Sequence, residues 1–149
     1  MTAPDGGASG ASAGWEHFDH RADIGVRGYG PQLADAFAQA AIGLTAIVTD
    51  PAAVVPAVSL AVDCSEADPE LLFVDWLNRI IYEMAVRRML FSHFDVTLRD
   101  GRLHAEIYGE AVDRSRHDPA VEVKGATFTE LAVRQRDDGI WVAQCVIDV

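Results

Sequence analysis

Apolar side chains at Leu33, Phe37, Ala40, Ala41, Leu44, Ile47 and Val48 recur every three or four residues, while Gln32, Asp35 and Gln39 fall off that stripe. This is the period of a helix with one buried face. Gly30-Pro31 precedes it and places proline in the expected first turn, where a missing N–H costs nothing; Asp50-Pro51 ends it. The period then changes to two: Val58, Leu60, Val62 and Cys64 alternate with Ser59, Ala61 and Asp63, which predicts a half-buried strand. Asp68-Pro69-Glu70 supplies a cap, a first-turn proline and an acid at the positive end of a helix dipole, so a second helix is predicted over residues 69 to about 90. In it Asp75, Asn78, Arg79, Glu83, Arg87 and Arg88 trace a narrow polar stripe, and most of the circumference is expected to be buried. Arg87 and Arg88 suit the negative end of that dipole.

Further on, Phe94, Val96 and Leu98 alternate up to Asp100-Gly101, and Leu103, Ala105 and Ile107 alternate away from it, a strong hairpin signal. Residues 109–119 show no period and read as a loop, with His117 ordering it. A strand is predicted over 121–124, another around Leu131 and Val133, and a turn at Asp137-Asp138-Gly139 leading into a last strand over 141–149. At the front, a loop carrying Asp19, His20 and Asp23 leads into a strand in which Ile24 and Val26 alternate. Runs of strands with hairpin connections and only two main helices predict an α+β fold, a two-layer domain with a largely antiparallel sheet packed with two main helices.

Composition narrows this picture. The chain has 149 residues, half of them hydrophobic, enough for one core. One folded domain is expected over 15–149, behind a Gly-, Ala- and Ser-rich flexible tail over 1–14. No signal-like start and no long apolar span are visible, so the expected location is the cytoplasm, away from membranes. Cys64 and Cys145 lack CxxC spacing, sit in alternating apolar runs and are expected to be reduced core residues. A formal net charge of -11 argues against free-standing RNA binding; any RNA would be reached through a partner. The blander reading is that acidity keeps the domain soluble. The chain contains no Gly-rich phosphate loop, zinc spacing or nucleophile elbow, which points away from an enzyme.

The chemistry-bearing residues concentrate in WEHFDHRADIGVRGYG at 15–30. Carboxylates with main-chain oxygens suit hard cations, whereas zinc favours clustered Cys and His. Taken singly, Asp23 reads as a turn residue, Asp148 as an exposed terminus, His17 and His20 as structural histidines, and Lys124 as a charge guarding a sheet edge. Taken together, the motifs resemble the archease family: DHRADIG is similar to its DHTADIG entry motif, LLFVDWLN with IIYEM to its central helix, VEVKGATF to its EVKAVTY segment, and CVIDV to its aspartate-bearing end.

That resemblance implies a non-catalytic accessory protein that activates an RtcB-type GTP-dependent RNA ligase in tRNA splicing or RNA repair, promoting its guanylylation and multiple turnover. It implies a divalent cation, calcium with manganese or magnesium as alternatives, held by Asp23, Asp148 and the carbonyl or free carboxylate of Val149, and a partner contact at Lys124. A chaperone-like modulator of an RNA-modifying enzyme, such as a tRNA methyltransferase, is the second expectation. A metal-dependent hydrolase using Asp23 and His20 is the third, disfavoured because no base and nucleophile constellation is evident. Arg21 replaces the family's usual threonine, and Gly125, Ala126, Phe128 and Thr129 depart from its pattern around Lys124.

Overall fold

Alternating and helical runs become eight strands and two long helices in the computed structural model, which describes residues 12–149. In chain order these are β1 Gly14–His20, β2 Asp23–Gly30, α1 Leu33–Val48, β3 Val58–Ser65, α2 Pro69–Arg87, β4 Met89–Arg99, β5 Arg102–Ala111, a short α3 Arg114–His117, β6 Gly125–Ala126, β7 Ala132–Gln135 and β8 Trp141–Asp148. Of the tail expected over 1–14, the first eleven residues lie outside the described part, and Gly14 already belongs to β1.

The fold is α+β, and every strand pair is antiparallel. Periodicity did not reveal that the strands divide into two sheets. One runs β1-β2-β8-β6, with β7 also on β8; the other runs β3-β5-β4. Helix α1 packs against β1, β2 and β8 of the first sheet and β4 of the second, which is why its buried set extends from the apolar stripe to Gly43 and Thr45. It reaches β2 almost backbone to backbone: a Cβ on Gly28 would fall 2.2 Å from the Ala36 carbonyl oxygen. The core is closed by Trp76 of α2, fully buried, whose indole N–H donates to the Phe37 carbonyl at 2.9 Å and whose ring meets Phe94 edge-on at 6.1 Å.

Several expectations are corrected. Helix α1 starts at Leu33 with Gln32 as its cap, the Gln32 N–H donating to Asp35 at 2.9 Å, so Pro31 stays outside. The loop expected to carry Asp19, His20 and Asp23 is strand at all three; β1 and β2 form a hairpin whose two-residue turn holds Arg21 at a φ of 56°. Helix α2 stops at Arg87, with Arg88 left-handed at its end and β4 beginning at Met89. One flank of α2 faces solvent, leaving Tyr82 and Val86 58% and 60% exposed, whereas Glu83 on the polar stripe is buried between Arg79 and Arg87. Burial opposes ionisation of Glu83, but the bonds from Arg87 and Arg79 outweigh it and lower the carboxyl's pKa. The final two basic residues therefore differ: Arg87 pairs with Glu83, and only Arg88 caps.

The expected loop at 109–119 is partly regular. β5 continues through Ala111 because Gly109 lets the strand pass the Leu90 backbone, where a Cβ would fall 1.8 Å from the carbonyl oxygen. Asp113 then caps α3. His117 does order this segment: buried, it accepts at Nδ1 from the Asp113 N–H at 2.8 Å, while Nε2 lies 2.9 Å from Glu110. Glu110 also takes two Arg116 N–H groups at 2.8 Å each and the Val55 N–H at 2.8 Å. Arg116 first, then the Val55 N–H, hold its carboxyl down to about 2 against an ordinary 4.5. A depressed pKa means stabilisation present above pH 4.5 and lost as pH falls toward 2. Glu110→Gln should therefore melt below the parent protein at neutral pH, with the gap closing across that window. Thermal scans at stepped pH check this, and a pH-independent gap would contradict it.

The strand expected at 121–124 is extended coil, since ladder pairing begins only at Gly125. Cys145 is buried, and burial pushes its thiol up to about 12. Cys64 is half-buried rather than in the core proper; burial, then Asp75, raises it as well. A thiol reagent should accordingly label Cys64 slowly in the native protein and leave Cys145 untouched until unfolding. Mass spectrometry of the labelled peptides reads the order, and Cys145 reacting first would contradict this packing. Among the described residues, no helix is long and apolar enough to cross a membrane.

Candidate cation and partner site

Antiparallel pairing with a fixed register carries residues from opposite ends of the chain to the same place. β2 pairs with β8 so that Ile24 faces Ile147 and Gly25 faces Val146. One step outward, Asp23 comes beside Asp148, and the Val149 N–H donates to the Asp23 carboxylate at 3.3 Å. On the other side of β8, β6 sets Gly125 against Asp148, and the Lys124 N–H donates to the Asp148 carbonyl at 2.8 Å. The structure thus brings Asp23, Asp148, Val149 and Lys124 to one end of the five-stranded sheet. Asp23 and Val149 are half-buried; Asp148 and Lys124 are exposed.

The β1–β2 hairpin adds His20, directly across from Asp23 in the register. Among the described residues, His20 Nδ1 is the buried side-chain polar atom without a hydrogen-bond partner. His17 is different: its Nε2 lies 2.8 Å from the Gly43 carbonyl, tying β1 to α1, as a structural histidine would. Asp19 stands opposite Ile24 and is exposed.

The donor chemistry at this end fits a hard divalent cation. Two carboxylates from adjacent strands and nearby main-chain carbonyls offer oxygen ligands, the kind calcium and magnesium take. The set is sparse. Among the described residues no group of three or more His, Cys, Asp or Glu side chains gathers closely enough to hold a metal. Asp23, Asp148 and main-chain oxygen therefore make a partial set, and water or a partner's oxygen would have to complete it.

Asn78 is a residue that the periodic pattern passed over. From α2, its carboxamide oxygen accepts from the Ala126 N–H at 2.8 Å and its nitrogen donates to the Ala126 carbonyl at 3.3 Å. It takes the place of a neighbouring strand on the outer side of β6, and so holds the segment that carries Lys124 against Asp148. In sequence it reads only as a polar position on an amphipathic helix. Thr127 adds a second tie, its hydroxyl donating to the Val146 carbonyl at 2.9 Å.

Known proteins match this chain over almost its whole described length. The model of the archease protein family matches residues 15–149. The archease of Pyrococcus furiosus is 33% identical over 139 residues, covering 91% of this chain and 98% of its own. That of Thermococcus gammatolerans is 35% identical with the same coverage. Among solved structures, the solution structure of a Methanobacterium thermoautotrophicum protein superposes with a TM-score of 0.75 at 26% identity, over 91% of this chain and 99% of that one. The crystal structure of a Thermotoga maritima archease, described as a possible chaperone, reaches a TM-score of 0.59 at 17% identity, over 89% of this chain and 94% of that one, and bears on the fold alone.

Proposed function

Because the chain belongs to the archease family, we propose that it acts as a non-catalytic accessory protein that activates an RtcB-type GTP-dependent RNA ligase, promoting ligase guanylylation and multiple turnover. The observation that carries this reading is the convergence of Asp23, Asp148, Val149 and Lys124 at one sheet end. Asp23, Asp148 and the carbonyl or free carboxylate of Val149 would hold a divalent cation, calcium first, with manganese or magnesium as alternatives. Its double positive charge would let two neighbouring carboxylates sit together at the surface that meets the partner. Lys124, exposed beside them, would meet the partner directly.

The net charge of -11 supports a division of labour in which the ligase, not this chain, holds RNA. Labelled GTP decides the matter: a ligase incubated with sub-stoichiometric amounts of this protein should become guanylylated faster and complete more than one ligation per active site. An unchanged guanylylation rate and a single turnover would refute the reading. A chaperone-like action on an RNA-modifying enzyme is the second reading, favoured by the exposed apolar side chains Tyr82, Val86 and Phe128. It is separated by a different result, recovery of an aggregation-prone tRNA methyltransferase without any effect on ligation.

A further inference from the structure

An open groove of about 650 Å³ lies between the end of α2 and the segment at 119–123. Its lining is mainly apolar, with Met84, Met89, Val112, Val121 and Val123 prominent, and Val121 remains 40% exposed. Methionine side chains reshape around whatever they contact, which suits a surface that accepts another molecule's apolar groups. Three charged residues complete the lining: Arg88, Arg114 and Glu122.

Arg88 is the informative one. It ends α2 in the left-handed region, at φ 54° and ψ 51°, a position that glycine fills without a Cβ penalty. Its backbone does the capping: the N–H donates to the Met84 carbonyl, and its own carbonyl accepts from the Val112 N–H at 3.0 Å. The side chain takes no part. Ion pairs among the described residues engage Arg27, Arg79, Arg87, Arg116 and Arg136, and neither Arg88 nor Arg114. A guanidinium is thus held, exposed and unpaired, at a backbone position that disfavours any side chain, beside an apolar groove.

Charge indicates what the groove accepts. Within a chain of net charge -11, the two arginines outnumber Glu122 in the lining, while Asp118 and Lys124, just outside it on either side of the same segment, offset each other. We propose that the groove is a docking site for a short acidic, aliphatic segment of a protein partner, which places one or two aliphatic side chains among Met84, Met89 and Val121 and sets a carboxylate on Arg88 and Arg114. A planar guanidinium fork matches a carboxylate, and arginine beside apolar surface is the composition of binding hot spots. A peptide fits better than a lipid chain because the groove is open to solvent, whereas an acyl chain needs enclosure on most sides. None of the proposed cation ligands takes part, so this site and the cation reading stand or fall separately.

The test uses the full chain and a fluorescein-labelled eight-residue peptide of leucine and glutamate. Polarisation should rise saturably, with amide shift changes concentrated at 84–89 and 121–123. Arg88→Gly should weaken binding at least tenfold while the thermal midpoint holds or rises, because glycine relieves the left-handed backbone. Arg114→Gln should weaken binding comparably. If Arg88→Gly proves less stable, Arg114→Gln decides, and unchanged affinity there overturns the proposal. Absence of saturable binding, or shifts confined to another face, overturns it too. So does decanoate, run in parallel, filling the groove when the peptide does not.

Discussion

Asp23→Ala and Asp148→Ala should each weaken calcium binding by about 10–100-fold or more and remove ligase activation. Such losses follow even from changes around ligands, and these two side chains are the proposed ligands themselves. The metal-free fold should survive. Asp148 is exposed, and Asp23 forgoes only the Val149 N–H bond at 3.3 Å, a loss of about 0.5–1.5 kcal/mol. Calorimetric titration with calcium reads the first effect, labelled-GTP transfer to the ligase the second, and circular dichroism confirms folding. Binding should also weaken in acid, since the carboxylates must be ionised to ligate. Undiminished calcium affinity in both folded variants would remove the cation from the mechanism. Lost activation in Asp23→Ala beside full activation in Lys124→Ala would keep the cation and discard the lysine contact.

Trp76→Ala should be the most damaging single change to the fold. It empties a fully buried site between Phe37 and Phe94, and such large-to-small changes cost about 3–5 kcal/mol. Against a total stability of about 5–15 kcal/mol for a domain, that is a large fraction of what keeps the protein folded. Trp76→Phe keeps most of the volume and deletes the N–H that reaches the Phe37 carbonyl, so it should fall well short of the alanine loss. Urea unfolding of the three proteins measures both costs. A Trp76→Ala midpoint within experimental error of the parent would mean that α1 and α2 do not meet as described.

Both predictions depend on contacts between residues far apart in the chain, and there sequence reading and structure part company. The two long helices and the β4–β5 hairpin were legible because their signals are local: a repeat of three to four, a repeat of two, a proline, an Asp-Gly turn. Where tertiary packing interrupts the local rule, legibility fails. Gly109 and the charged residues around it concealed the end of β5, because a glycine admitted for close passage of Leu90 looks like a loop residue. The expected strand at 121–124 failed for the opposite reason. Val121 and Val123 alternate like a strand, but one wall of a groove and a single bond from Lys124 to Asp148 use the same alternation without a ladder.

Residue types and their spacing determined by themselves the fold class; the candidates Asp23, Asp148, Val149 and Lys124 came from the resemblance of the sequence motifs to the archease family. Only the tertiary structure decided that these candidates meet. The β2–β8 register brings Asp23 and Val149 within one hydrogen bond although 125 residues separate them, and no periodicity within either strand specifies that pairing. The same holds for Asn78, which acts on Ala126 across 48 positions, and for Glu83, buried where its helix pattern marks an exposed stripe. Local patterns report how each residue sits on its own element. Which elements face one another is set by burying all the apolar faces at once, a condition that exists only in the assembled chain.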